Sequence, residues 1–410
     1  MKNVYLVDEQ VSSKTNGIGP FLKAYISCLK SMNVNITLLS FNADVDEFDI
    51  KMVNGIRTFL FPIFPTGNFT FHAQIVNRFI KLYIEDSVDN IFCFNHSPCK
   101  DLLQTVRTSF PLSKLLFTIH DMGWTKMLNG DYDQIRKIIA NRYKKSVQKK
   151  YRGLLSFFDQ EKEMYNIVDG VICLSRSTYD VLKDVYRIPE NKIEIIYSGL
   201  KTSKMLISEK HKMLIRKGKH IQPNEKLLLY VGRLSRPKGV YALLDAFSGI
   251  LTMYPDTRLI LAGSANSEWK KFFSSVRDIS SKITITGFIS KKELKQWYQI
   301  ADIGVIPSYY EQCPYVGMEM MTYGMPIIAS DASGLKDMFT SGVNAEVACI
   351  GDQRNEKEFS DNIQGAIRKL LDSEKLRTKI GMQAKRTFVS TYSLHCMSKR
   401  YKCLFEKIFL

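Results

Sequence analysis

Two glutamates, Glu311 and Glu319, stand eight positions apart in EQCPYVGMEMM, a stretch otherwise apolar enough to be core. Carboxylates seldom lie buried without a partner, so the pair calls for a cation, a ligand or a chemical task. Other residues fit for chemistry sit in loops shaped by glycine. Arg233 and Lys238 occupy VGRLSRPKG, bracketed by Gly232 and Gly239. Two cations beside a helix start form a clamp for a diphosphate, although a solvated basic turn is the plainer alternative. His120 ends KLLFTIH, and Asp121 beside it is placed to orient, or be oriented by, a polar neighbour. Asn95-His96 also closes an apolar run and reads as structural. Gly17 and Gly19, in NGIGP, let the backbone approach a ligand at a helix start, with Pro20 suited to the first turn. NGIGP lacks a full GxGxxG and a nearby acidic partner, so a tight turn explains it equally well.

The two glutamates differ chemically by place. On the loop after DIGVIPS, Glu311 is positioned to accept hydrogen bonds from sugar hydroxyls. Inside the following helix, Glu319 can accept two from a vicinal diol such as a ribose, or simply complement the helix dipole. Between them the N–H groups of Tyr315, Val316 and Gly317 open a helix, where phosphate is favoured.

Positioning these residues takes strands that end where they begin. KNVYLVD, VNITLLSF, NIFCFN, KLLFTIH, DGVICLS and IEIIYSG read as strands before residue 200. KLLLYVG, TRLILAG, ITITGF, DIGVIPS and PIIASD follow after it, with helical segments between most of them. PFLKAYISCLKSM, for example, presents Phe21, Leu22, Tyr25, Ile26 and Leu29 on one face. Short apolar strands alternating with helices predict parallel sheets wound with helices, once per half. Ligands of such α/β sheets bind beyond the carboxyl ends of the strands. From Glu356 onward the pattern is purely helical.

Bulk properties set the limits. A chain of 410 residues exceeds one hydrophobic core, so two domains are expected. With 45% hydrophobic and 24% charged residues, disorder and low complexity drop out. No run approaches the apolar length that crosses a bilayer, and MKNVYLVDEQ turns acidic too soon for a signal peptide. Eight dispersed cysteines without a CxxC pair suggest neither zinc nor a disulfide framework, but reduced core residues of a cytoplasmic protein. The net charge of +17 admits nucleic acid, an anionic membrane or acidic small molecules as partners. Arg136 to Arg152 holds eight basic residues and no acidic one, and a second cluster runs from Lys201 to Lys219. Each is as readily a solvated face as an interface. No RRM, KH or zinc-finger signature supports nucleic acid.

In order and spacing, VGRLSRPKG, then EQCPYVGME (an E-x7-E) about 70 residues on, then PIIASDASGLKDMF, resemble the family 4 retaining glycosyltransferases of GT-B fold. The N-terminal GIG loop, TIHD and the helical tail match too, so the resemblance covers nearly the whole chain. It implies two Rossmann-like domains facing across a central cleft: residues 1–200 for the acceptor and 201–390 for the nucleotide sugar. Residues 391–410 would form a helix crossing back to the first domain. It further implies that Arg233 and Lys238 hold the donor diphosphate, Glu311 the donor sugar and Glu319 the ribose. His120 would contact the donor sugar near the reacting carbon. Gly17 and Gly19 would approach the donor phosphate or the acceptor, and the backbone of Phe288, in TGFIS, the base. The donor would be UDP-, GDP- or ADP-linked, with no cofactor and no metal, and the acceptor a glycan, lipid-linked or protein. Transfer would retain configuration by a front-face route in which the leaving phosphate takes the acceptor proton. One departure stands out: where the family has EPFG this chain has EQCP, and Pro314 offers no N–H, which leaves a phosphate to the amides of Tyr315 and Val316 and to the two cations. The alternatives are a sugar-nucleotide epimerase of similar fold or, with charge as its sole support, a nucleic-acid binder. Within the transferase reading, Arg136 to Arg152 is a candidate contact with an anionic membrane, on the inner face of the plasma membrane, or with a phosphate-bearing acceptor.

Overall fold

The computed structural model describes residues 2–9, 18–63, 69–95, 100–202, 207–264, 277–353 and 355–409. The chain divides into two compact units, one of Met1–Lys201 with Leu394–Leu410 and the other of Thr202–Ser393.

In the first unit the strands are β1 (Lys2–Glu9), β2 (Val34–Ala43), β3 (Asp49–Val53), β4 (Ile56–Pro62), β5 (Asn90–Phe94), β6 (Lys114–Ile119), β7 (Gly170–Cys173) and β8 (Ile193–Ile195). They form one sheet in the order β3-β4-β2-β1-β5-β6-β7-β8. All pairs are parallel except β3 with β4. All five residues of β5 are buried, as a central strand covered on both faces requires. The helix at Ile18–Lys30 buries Phe21, Leu22, Tyr25 and Leu29, whereas Ile26 lies at the edge of that face.

The hairpin of β3 and β4 is a feature the strand pattern did not reveal. It turns at Asn54-Gly55, both residues at positive φ (51° and 74°). An Asn-Gly pair between two runs is the strongest short hairpin signal, whereas half-exposed DIKMV lacks a buried strand's composition. The edge of this sheet is therefore antiparallel. The helix Leu394–Phe409 packs on the helix Ile18–Lys30: Tyr401 stacks on Tyr25 at 4.2 Å, and the Leu394 N–H donates to the Leu200 carbonyl at 2.9 Å.

In the second unit β9 (Lys226–Val231), β10 (Thr257–Ala262), β11 (Ile283–Gly287), β12 (Ile303–Ile306), β13 (Ile327–Ser330) and β14 (Glu346–Ala348) form a sheet in the order β11-β10-β9-β12-β13-β14. Every pairing is parallel. Three-residue β14 is too short to carry a pattern. The chain winds outward one way from β9 and then the other way from β12, so the loops after these two strands flank the point where the winding reverses. Ligand crevices of open α/β sheets form at such a point. The helix Val240–Met253 buries Leu243, Leu244, Phe247 and Ile250 among others, and each such side chain contributes about 1.5–3 kcal/mol. That anchors the loop entering it.

Free cysteines Cys28, Cys93, Cys173 and Cys313 are buried, whereas Cys349 and Cys403 are exposed, so core packing accounts for only part of the set. Among the described residues no helix is long and apolar enough to cross a membrane.

Candidate active site

The loop leaving β9 is fastened at each turn. The Gly232 N–H donates to the Ala262 carbonyl and the Leu234 N–H to that of Ser264, at 2.9 and 2.8 Å. The Tyr230 hydroxyl donates to the Arg233 carbonyl at 2.6 Å. Leu234 is fully buried, which turns the side chain of Arg233 out to solvent. One 3-10 turn, Arg236–Lys238, then leads to Gly239 in the left-handed region (φ 68°). A Cβ on Gly239 would lie 1.7 Å from the Pro307 carbonyl oxygen, so this backbone crosses the β12 exit at a distance only glycine permits. The Tyr309 N–H donates to the Pro237 carbonyl at 2.9 Å and ties the two loops together.

That crossing brings Lys238 to Glu311. The Lys238 ammonium donates to Glu311 Oε1 at 2.6 Å, and the Ser308 hydroxyl donates to the same oxygen at 2.8 Å. The Glu311 side chain is 15% exposed, so desolvation strengthens the pair. Ser308 is itself positioned: its carbonyl accepts from the Ser330 hydroxyl at 2.5 Å, and both serines are buried. The Glu311 carbonyl accepts from the Gly334 N–H at 2.9 Å, where a Cβ would stand 2.0 Å from the Gln312 carbonyl oxygen. The carboxylate is thus fixed from both its backbone and its side chain. Burial pushes the Tyr230 phenol up, the Glu311 charge adds to that, and the Arg233 cation opposes it. Tyr230 therefore lies within electrostatic reach of both charges.

Glu319 lies in the helix Tyr315–Thr322. Burial raises its carboxyl above the usual range, while a hydrogen bond from Tyr298 (2.7 Å) and the Lys291 charge pull it back. Tyr298 stacks on Tyr323 at 5.2 Å, which holds the phenol in place. At the start of this helix the Gly317 N–H donates to the Pro314 carbonyl at 3.1 Å. This corrects the expected triad of phosphate-facing amides, leaving Tyr315 and Val316 as candidates, because a first turn opening on Pro314 tightens onto the proline carbonyl. Phe288 follows Gly287 (φ 67°) at the end of β11 and is 92% exposed.

In the first unit His120 leaves β6 half-buried, with its ring edge-on to Phe21 at 4.5 Å between centroids. Asp121 orders the turn that follows, accepting from the Met122 N–H (2.9 Å) and the Thr125 hydroxyl (2.5 Å). Glu161 supports the same turn through the Gly123 N–H at 2.6 Å and accepts from the Tyr186 hydroxyl at 2.5 Å. Gly19 occupies the first turn of the helix Ile18–Lys30, while Gly17 and His96 lie outside the described residues. Asn95 is buried and donates to the Cys93 carbonyl at 3.2 Å.

Much of the two basic clusters has local structural work. Arg216 is buried and donates to the carbonyls of Ile300, Gln222 and Glu225. Lys219 lies over the Trp297 ring at 4.3 Å. Arg142 grips Asp159 through two bonds of 2.8 and 2.7 Å. Lys144, Lys145, Lys149, Lys150 and Arg152 remain exposed beside Tyr143, itself 84% exposed. Among the described residues no group of His, Cys, Asp and Glu could hold a metal ion.

Reasoning from the sequence missed Ser308, Ser330, Tyr230 and Tyr298. Ser308 and Tyr230 had a faint signal, a polar side chain at the exit of an apolar run. Ser330 and Tyr298 had none, since their partners lie 22 and 21 positions away.

Two family models match, Glycosyltransferase Family 4 over residues 15–204 and Glycosyl transferases group 1 over residues 212–387. An uncharacterized glycosyltransferase of Methanocaldococcus jannaschii is 32% identical over 177 residues, which is 42% of this chain and 45% of that protein. The match spans about half the length of the curated relatives. Sucrose-phosphate synthase from Thermosynechococcus elongatus superposes with a TM-score of 0.77 at 17% identity, covering 100% of this chain and 99% of that one. An Anabaena protein crystallised in complex with UDP superposes with a TM-score of 0.70 at 16% identity, covering 99% and 100%. These likenesses establish the fold. Both matching models describe transferases, which disfavours the epimerase alternative.

Proposed function

We propose, from the premise that this chain belongs to the family 4 glycosyltransferases of GT-B fold, that it moves a sugar from a nucleotide-diphosphate donor to a glycan, lipid-linked or protein acceptor, with retention of configuration and no metal or cofactor. One observation carries this reading: Lys238, Ser308 and Glu311 converge where the winding of the second sheet reverses. An ammonium and a carboxylate 2.6 Å apart are matched to a ligand that is anionic at one end and hydroxylated at the other. The diphosphate accepts from the remaining donors of Lys238 and from the exposed Arg233, and Glu311 offers its other oxygen to the sugar hydroxyls while the pair stays in place. Glu311 acts as a hydrogen-bond acceptor rather than as one of a pair of acid and base carboxyls.

In the transfer step the bond from the anomeric carbon to the diphosphate oxygen breaks, and the diphosphate keeps the electron pair. The acceptor oxygen bonds to that carbon on the same face, and its proton passes to the departing phosphate oxygen. Arg233 and Lys238 stabilise the charge that develops there, a task that needs no metal ion. Glu319, steadied by Tyr298, takes the ribose diol, the backbone at Phe288 the base, and the amides of Tyr315 and Val316 the phosphate. Gly17 and Gly19 are assigned to the donor phosphate or the acceptor, and His120 to the donor sugar. The UDP bound by the Anabaena protein supports a nucleotide ligand, with UDP, GDP and ADP all standing as the donor's carrier.

The exposed lysines around Tyr143 are assigned to an anionic membrane surface, with the protein working on its cytoplasmic side. Replacing Lys144, Lys145, Lys149 and Lys150 with Gln should abolish cosedimentation with anionic vesicles, and unchanged binding would refute that contact. For the donor site, UDP, GDP and ADP are compared for their effect on the melting temperature. One of them at 100 times its Kd raises stability by about 2.7 kcal/mol, and Lys238→Ala removes the effect. Equal stabilisation of the variant would overturn the reading.

A further inference from the structure

A cavity of about 550 Å³ opens at the far end of the first sheet from His120. Its residues come from the amino ends of parallel strands, whereas His120 follows a carboxyl end. Strand register sets out its floor as two rows of side chains. In one row Arg57, Thr37 and Tyr5 are direct neighbours across β4, β2 and β1. In the other, Asn35 and Asn3 are neighbours across β2 and β1, with Asn90 next on β5. The amides form a ladder: Asn35 Nδ2 donates to Asn3 Oδ1 at 3.0 Å, and Asn3 Nδ2 donates to Asn90 Oδ1 at 3.1 Å. Adjacent strands lie about 4.8 Å apart, so the rows present polar groups at regular short intervals.

The charge of the cavity has one sign. Lys30 and Arg57 line it, and no carboxylate does among the described residues. Arg57 is held over the Phe59 ring at 5.0 Å and near the Tyr83 ring at 6.0 Å, so its guanidinium is ordered in advance. Burial raises the Tyr5 phenol and the Arg57 cation draws it back. Amides and hydroxyls suit a polyhydroxylated ligand, and an ordered guanidinium with a nearby ammonium suits a carboxylate on it.

We propose that this groove binds a short acidic oligosaccharide, a segment of a glycan chain remote from the reacting end. The ligand class rests on the transferase reading, whereas the groove itself does not. Such a site would retain a growing acidic chain between turnovers.

The full chain is titrated calorimetrically with a short oligogalacturonate, a neutral oligosaccharide of equal length, and inorganic phosphate. The oligogalacturonate should bind at least tenfold more tightly than either control. Arg57→Gln and Lys30→Gln, both exposed, should each weaken it about tenfold, and the double variant Lys375→Gln/Lys379→Gln, at exposed lysines of the second unit, should leave it unchanged. Absence of binding, equal binding of the neutral chain or of phosphate, or unchanged binding by Arg57→Gln and Lys30→Gln would overturn the proposal. UDP, GDP and ADP titrated into the same samples report on the second unit separately. Oligogalacturonate binding without nucleotide binding contradicts the donor site and upholds the groove, and the reverse contradicts the groove alone.

Discussion

The strand ends of the two units hold their polar side chains by different means. After β9 and β12, cation and carboxylate meet directly, and buried serines fix the carboxylate in turn. After β6, His120 rests edge-on against Phe21, while the carboxylates nearby, Asp121 and Glu161, are occupied with the backbone and hydroxyls of the turn. The second unit is electrostatically preorganised for one kind of ligand, with charges set before it arrives. The first is organised by shape. On the proposed reading, the diphosphate is common to every donor and falls to the fixed ionic pair, whereas the sugar, which differs between donors, meets His120 at the shape-held end.

Four substitutions test that contrast, in order of expected effect. Glu311→Ala should lower turnover of the donor about 10³-fold or more while the protein stays folded, checked by nucleotide release and circular dichroism. Near wild-type turnover would remove Glu311 from the donor site. Gly239→Ala meets the Pro307 oxygen and takes up a strained left-handed backbone. It should cost about 3 kcal/mol or more and lower the melting temperature by roughly 6 °C or more. His120→Ala should lower kcat on the order of 10²-fold without altering nucleotide binding, in keeping with a contact to the sugar alone. If it weakened nucleotide binding instead, the division between ionic and shape-held ends would fail.

The smallest effect depends on pH. Burial raises the Glu319 carboxyl above its value of about 4.5 in the unfolded chain. The contribution of such a group to stability is complete below that value and is lost as pH rises through the raised one. Tyr298→Phe removes the bond that favours the charged form, so the Glu319 carboxyl rises further. The variant should be less stable by about 1.5–3 kcal/mol at pH 7, with the gap closing towards pH 4. Urea unfolding at both pH values measures this, and a pH-independent difference would mean that the loss is one of packing.

The two halves were also unequally legible in the sequence. In the second unit β9 and β12 are unbroken apolar runs, so Arg233 and Glu311 are found by reading the residues that follow them. That Lys238 meets Glu311 was not legible, because 73 positions separate them and the crossing depends on the backbone at Gly239. In the first unit the central strands stood out by composition. The β3–β4 hairpin did not, since an edge strand with one face in solvent carries charged and polar residues and its only clear signal is the Asn-Gly turn. Supporting residues such as Ser330 and Tyr298 become recognisable only once tertiary structure brings them to a carboxylate.

The central claim is that the paired Lys238 and Glu311 hold a nucleotide sugar for transfer. It is tested most directly by nucleoside diphosphate release from a panel of UDP-, GDP- and ADP-sugars, with wild type and Lys238→Ala side by side. The account predicts release from at least one donor by the wild type and a loss of about 10²-fold or more in the variant. Release by Lys238→Ala at the wild-type rate, or none from any donor by the wild type, would contradict it.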